Sequence, residues 1–196
     1  VTKSDSNIEF SVLEECMREN LNRECERRIA VIDPLKLVIE NIEVNHNELC
    51  YASKHPKKQS LGKRTLPFTK EIYIERSDFK LHPPKDFFRL KPNGRVRLRY
   101  AYVIECTGYE VDQNNEVILV KAKIFKDSKS GTKGSDNYKV KGNIHWLSAE
   151  HIIRAEITFY NYLLKKTHLN EKDQGVENQE YIINNSSISV KKAILE

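Results

Sequence analysis

Three arginines at alternate positions, Arg95, Arg97 and Arg99, are the residues best placed to do chemistry. Side chains alternate across a β-strand, so an extended segment here puts these three on one face and Val96, Leu98 and Tyr100 on the other. The guanidinium groups then stand about 6.7 Å apart along the strand. Such a comb suits phosphates or unstacked bases, because a planar fork bonds oxygen and nitrogen edges in pairs and also stacks on rings. The competing use is a plain solvated face. Mutual repulsion of three cations with no intervening acid counts against it.

Just upstream, Asp86-Phe87-Phe88-Arg89-Leu90-Lys91 mixes aromatics with cations. These are the materials that hold single-stranded bases. Arg89 is the functional candidate, and the phenylalanine pair is expected mainly to pack. A second basic cluster runs from Lys54 through Lys57 and Lys58 to Arg64. Such groups meet nucleic-acid backbones, which positions a ligand without reading its sequence.

No catalytic constellation stands beside these residues. The sequence has no glycine-rich phosphate loop, no nucleophile elbow and no paired carboxylates in an evident pocket. Ser148, Glu150 and His151 are neighbours, which is too weak a signal for a triad. Cys16, Cys25, Cys50 and Cys106 show no CxxC spacing, and His145 and His151 lack further ligands at metal spacing. No metal site is expected, and reduced thiols in the cytoplasm are.

Between Lys54 and Arg99 there are 14 Lys and Arg against 4 Asp and Glu, in a chain whose net charge is only +5. The remainder is therefore net acidic, and the basic stretch has the footprint of a polyanion site. The 196 residues allow one medium domain or two small ones. No run approaches the roughly 18 apolar residues of a membrane span, and no leader is evident. The first residue is Val1, so the chain reads as a piece of something longer.

These residues need elements to hold them. Residues 1–11 read as a polar segment, and Ser11 with Glu14 forms a capping box ahead of a helix from Val12. Leu13, Cys16, Met17 and Leu21 make one stripe of that helix, expected to be buried. Arg27 and Arg28 fall where it should end. From Val31 the apolar period changes to two, and Pro34 excludes a continuing helix. Strands are expected around 35–42, 71–75, 95–106, 117–125, 138–148, 153–164 and 181–191. Polar turns fall at 112–115, 126–137 and 171–180. Many short strands with such turns predict a mainly β chain of barrels or sandwiches.

Four ordered stretches carry a family resemblance: Arg28 to Asn41 around Ala30-Val31-Ile32-Asp33-Pro34, Leu66 to Phe79, Val96 to Ile104, and Lys139 to Trp146. In that order they resemble the anticodon-binding region of glutaminyl-tRNA synthetases, over essentially the whole chain. The resemblance implies a short helical connector (1–28) and two β-barrels like that of a ribosomal protein that binds 5S RNA. Residues 29–80 would begin the proximal barrel, 81–165 form the distal one, and 166–196 return to the proximal barrel, left truncated. By motif, Arg27 resembles the arginine that meets the middle anticodon base, Arg89 the reader of the third, and Arg97 and Arg99 those around the first. Asn22, Lys57, Asp86 and Arg95 are further expected tRNA contacts.

Further expectations follow from the resemblance: tRNA(Gln) as partner, a monomer, and a catalytic domain using ATP and Mg that precedes Val1 and is missing here. The fragment alone should be inactive, with no cofactor of its own. Some family members carry glutamine and lysine where this chain has Asp86 and Phe88, so those contacts are expected to differ. Two alternatives stay open: the related glutamate enzyme, whose anticodons end in C, and a non-catalytic 5S RNA-binding barrel protein.

Overall fold

The computed structural model describes residues 10–163 and 183–196. Helix α1 spans Phe10–Glu24. Ser11 already lies inside it, so the capping-box residue is not the one preceding the first turn. The apolar stripe is present in spacing but not in burial. Leu13, Met17 and Leu21 are each more than half exposed, and no residue of α1 is buried. Helical periodicity specifies a face, whereas burial needs an element to cover that face, and none of the described residues does.

What anchors α1 is polar. The ring of His55, almost fully enclosed, places Nε2 2.6 Å from the backbone oxygen of Asn22, while Nδ1 accepts the N–H groups of Lys57 and Lys58 at 3.1 and 3.0 Å. Two donors on Nδ1 fix the proton on Nε2, which then donates to the helix end. One imidazole thus ties the last turn of α1 to the basic loop.

The rest is mainly β. Strands β1 (Ala30–Ile32), β2 (Pro34–Ile39), β3 (Asn47–Ser53), β4 (Lys63–Thr69) and β5 (Glu71–Glu75) lead to a 3-10 turn at Arg76–Asp78. Then come β6 (Arg95–Leu98), β7 (Val103–Val111), β8 (Val117–Ile124), β9 (Asn143–Ile144), β10 (Leu147–Ser148), β11 (Ile153–Tyr160) and β12 (Ile188–Leu195). Seven of them form one sheet in the order β10-β5-β2-β8-β7-β6-β9. β2 pairs antiparallel with β5 and parallel with β8, so this sheet runs unbroken across residue 80. Its edge strands β9 and β10 are separated in sequence only by His145 and Trp146. Two residues reach about 7 Å, so the sheet must curl enough to bring these two edge strands near each other.

The alternation that builds this sheet is clean. In β2 and β5 every second side chain is buried: Leu35, Leu37 and Ile39, then Ile72 and Ile74. Trp146 fills the centre, its ring edge-on to Phe68 at 5.2 Å between centroids. Phe68 comes from the β3–β4 hairpin, an element not anticipated from sequence. Its signal is inverted: Cys50 and Ala52 face inward, while Leu49 and Tyr51 are exposed.

Two expected strands break. Residues 95–106 are not continuous, because the chain reverses at 99–102 and pairs β6 with β7. Ala101 N–H bonds Leu98 O at 2.9 Å, and Tyr100 adopts φ +68°, a region bulky side chains rarely occupy. The expected strand at 138–148 is reduced to β9 and β10. A separate three-stranded sheet has the order β1-β12-β11, with Ala30 opposite Leu195. The turn expected at 171–180, residues 181–182 of the last expected strand, Leu164 and residues 1–9 lie outside the described residues.

Candidate nucleic-acid interface

The segment between α1 and β1, the β3–β4 hairpin and the β6–β7 turn converge on a groove of about 350 Å³, lined by Arg27, Arg28, Arg64, Arg99 and Tyr100. Each element contributes for a local reason. Arg27 is held by its N–H to Lys54 O at 2.7 Å and by its guanidinium on the Asn22 side-chain oxygen. Arg99 sits in the tight turn, with Trp146 Nε1 donating to its carbonyl at 3.0 Å and its guanidinium 5.5 Å from the Tyr100 ring. Arg64 is committed: it pairs with Glu196 Oε1 at 2.5 Å and donates to Ser53 O at 2.6 Å. The other oxygen of Glu196 accepts Ile29 N–H at 3.1 Å.

Asn22 and Lys57, distant in sequence, line one recess with Arg23, His55 and Lys58. The His55 tie described above is what brings them together. Arg27 and Arg99 share the groove and have no carboxylate partner among the described residues.

The comb is only partly free. Arg95 is matched across the ladder by Glu105, which it meets at 2.5 Å, and Lys123 meets the same carboxylate at 3.0 Å. Hydrogen bonds from Lys123 and Arg95 hold the Glu105 carboxyl below its usual range. Arg97 turns to the 128–138 loop, donating to Ser128 O at 2.8 Å, Ser130 Oγ at 3.3 Å and Ser135 O at 3.0 Å. It also lines a recess with Tyr138 and Lys139. Arg99 has left the strand for the turn. The expected single row is therefore three arginines with three different tasks.

Arg89 gives Nη1–H to Asp78 Oδ1 at 2.6 Å, with its side chain half exposed and that of Asp78 enclosed. Burial pushes the Asp78 carboxyl above its ordinary value despite the Arg89 charge. That direction fits the geometry, since Oδ2 is buried without a hydrogen-bond partner. Beside it Glu75, also raised by burial, accepts Ile32 N–H at 2.6 Å and lies 3.5 Å from His145 Nε2. Asp86 is exposed. The phenylalanine pair does not pack into the core: Phe88 is half exposed with Lys141 Nζ 5.0 Å from its ring, and Phe87 is partly buried under Lys80. The core beneath them is filled from β6 and from Leu90, so the aromatics stay at the surface.

Chemically the surface offers guanidinium forks, an exposed aromatic ring and backbone amides, which suits RNA held by its phosphates and splayed bases. His55, Asp78, Glu105 and Glu196 were not anticipated. The only trace of Glu105 in sequence is its alternation opposite Arg95 once the hairpin is known.

Residues 25–125 and 143–196 match two families, each described as the anti-codon binding domain of class I tRNA synthetases (E and Q). The chain belongs to this class of anticodon-binding domains. Over all 196 residues it is 46% identical to the glutamine–tRNA ligase of Ralstonia pickettii (strain 12J), of which it spans 34%. Over the same span it is 45% identical to the glutamine–tRNA ligase of Ralstonia nicotianae, covering 33% of that protein. It thus spans about a third of the length of the curated relatives it matches.

Proposed function

We propose that this chain is the part of a glutamine–tRNA ligase that reads the anticodon of tRNA(Gln). The whole enzyme would join glutamine to tRNA(Gln) with cleavage of ATP to AMP and diphosphate. The observation that carries this reading is the convergence of Arg27 and Arg99, far apart in sequence, into one groove, with no carboxylate on either guanidinium among the described residues. Anticodon bases pulled from their stack would enter there and beside Arg97, with Arg89 on the third base. Asn22, Lys57 and Arg95 would meet the flanking backbone and Asp86 the rim. Glutamine anticodons end in G, whose O6 and N7 accept a bidentate arginine, whereas the C that ends glutamate anticodons presents a donor.

The same reading divides the chain into a helical connector and two barrels of the 5S RNA-binding kind. The proximal barrel would take 29–80 with 166–196 and the distal one 81–165, while the described strands hydrogen-bond as sheets of seven, three and two strands. The enzyme would act as a cytoplasmic monomer. No described helix is long and apolar enough to cross a membrane. The described residues gather no group of three or more His, Cys, Asp or Glu side chains for a metal. ATP and magnesium would serve the catalytic part of the whole enzyme.

Full-length protein should bind anticodon hairpins bearing CUG or UUG at least tenfold tighter than CUC. Arg89→Ala should relax third-base preference by about 1–3 kcal/mol. Equal binding of CUG and CUC hairpins by the unaltered protein overturns the glutamine assignment. Tighter binding of CUC favours the glutamate alternative.

A further inference from the structure

Arg89 has more than one edge to offer, and one is already occupied. Its Nη1 is taken by Asp78, while Nε and Nη2, which lie together on the other edge of the guanidinium, have no partner among the described residues. Asp78 is rigidly placed for this. It ends the 3-10 turn after β5, its backbone oxygen accepts Leu90 N–H at 2.9 Å, and Lys80 N–H bonds Leu90 O at 3.2 Å. The two segments are thus clamped by backbone before either side chain meets. The Asp78 side chain is 3% exposed and that of Arg89 is 49% exposed. One partner is buried and immobile, the other reaches into solvent.

Side-by-side N–H groups match two adjacent acceptors on a planar ligand, as O6 and N7 of guanine are. A guanidinium free to rotate would present any edge and would meet phosphate as readily as base. We infer that Asp78 is a positioning residue that fixes the Nε/Nη2 edge of Arg89 toward RNA and so sets the preference for guanine at the third anticodon position. This rests on the proposed role of Arg89. Glu75 and His145 border the same corner, 3.5 Å apart, and neither contacts the exposed edge of Arg89 by any hydrogen bond in the structure.

The test compares full-length wild type, Asp78→Asn, Arg89→Lys, Arg89→Ala and the double variant Asp78→Asn/Arg89→Ala, on hairpins that differ only as CUG or CUA. Thermal unfolding establishes that each variant is folded. Wild type should prefer CUG by about tenfold or more. Asp78→Asn, which is isosteric, should bring that ratio below about threefold while leaving CUA affinity in place. Arg89→Lys keeps the charge but loses the fork, and should likewise bring the CUG-to-CUA ratio below about threefold with Asp78 intact. In the Arg89→Ala background, Asp78→Asn should change the ratio no further. A wild-type ratio retained in Asp78→Asn or in Arg89→Lys overturns the inference and leaves the proposed function standing. A wild type that does not distinguish the hairpins overturns both.

Discussion

At the scale of single residues, the arginines divide by what already holds them. Arg97 commits its guanidinium to backbone and hydroxyl oxygens of the 128–138 loop, so its removal should act on that loop before it acts on RNA. Charge-assisted bonds of this kind are worth about 1.5–3 kcal/mol apiece. Arg97→Ala should therefore destabilise the protein by roughly 2 kcal/mol in denaturant unfolding and accelerate amide exchange at 128–138 without RNA present. Unchanged exchange there would mean the loop stands without it. The carboxylates behind Arg89 give a pH signature. Asp78 binds its proton more tightly folded than unfolded, so its stabilising contribution is complete at low pH and is lost as pH rises above 3.8 through its folded value. Asp78→Asn lacks this component. The stability advantage of wild type over the variant should shrink as pH climbs through that window. A constant difference from pH 3 to pH 7 would contradict it.

Among elements, the crossing of residues 86–89 with the start of β9 leaves least room. A Cβ on Gly142 would stand 2.1 Å from Phe88 O and 2.8 Å from Val96 Cγ1. Those are backbone and a packed core side chain, which cannot swing aside. Gly142→Ala should cost about 1–3 kcal/mol in unfolding experiments, and by pushing Phe88 outward should weaken the third-base preference as well. Loss of stability with preference intact would show that Arg89 does not depend on this crossing. The elements also show what sequence could and could not tell. β2 and β5 were legible because every second residue is apolar and buried, and β8 because Val120, Ala122 and Ile124 keep the same period. The β3–β4 hairpin was not, because its inward positions carry small Cys50 and Ala52 and its outward ones Leu49 and Tyr51. The comb failed at Tyr100, whose left-handed backbone no period-two pattern announces. Arg27 and Arg99 could be named from motif, but the groove that joins them depends on contacts such as Arg64 with Glu196, 132 residues apart. Pairings at that separation leave no local trace.

Across the whole molecule, the acidic remainder of the chain folds back on the basic stretch. Glu26 reaches Lys54, Asp33 reaches Arg76, Glu105 reaches Arg95 and Glu196 reaches Arg64. The local excess of positive charge read from sequence is partly neutralised in this way and, among the described residues, meets no carboxylate at Arg97 and Arg99, with Arg27 beside the latter, which concentrates the field where a polyanion would sit. The two larger sheets meet their edges differently. The curled sheet ends in two-residue strands that approach each other. The three-stranded sheet ends in β11, eight residues long and, among the described residues, unpaired along its outer side. Ile153, Phe159 and Tyr160 on that strand are exposed. A long bare edge with apolar side chains is a template for strand-on-strand growth between copies. The 196-residue chain on its own should therefore become turbid with time and concentration through β11. Replacing Ile157 by lysine, in mid-strand, should delay that turbidity in light scattering, whereas lysine in place of the exposed Leu49, on the β3–β4 hairpin, should not.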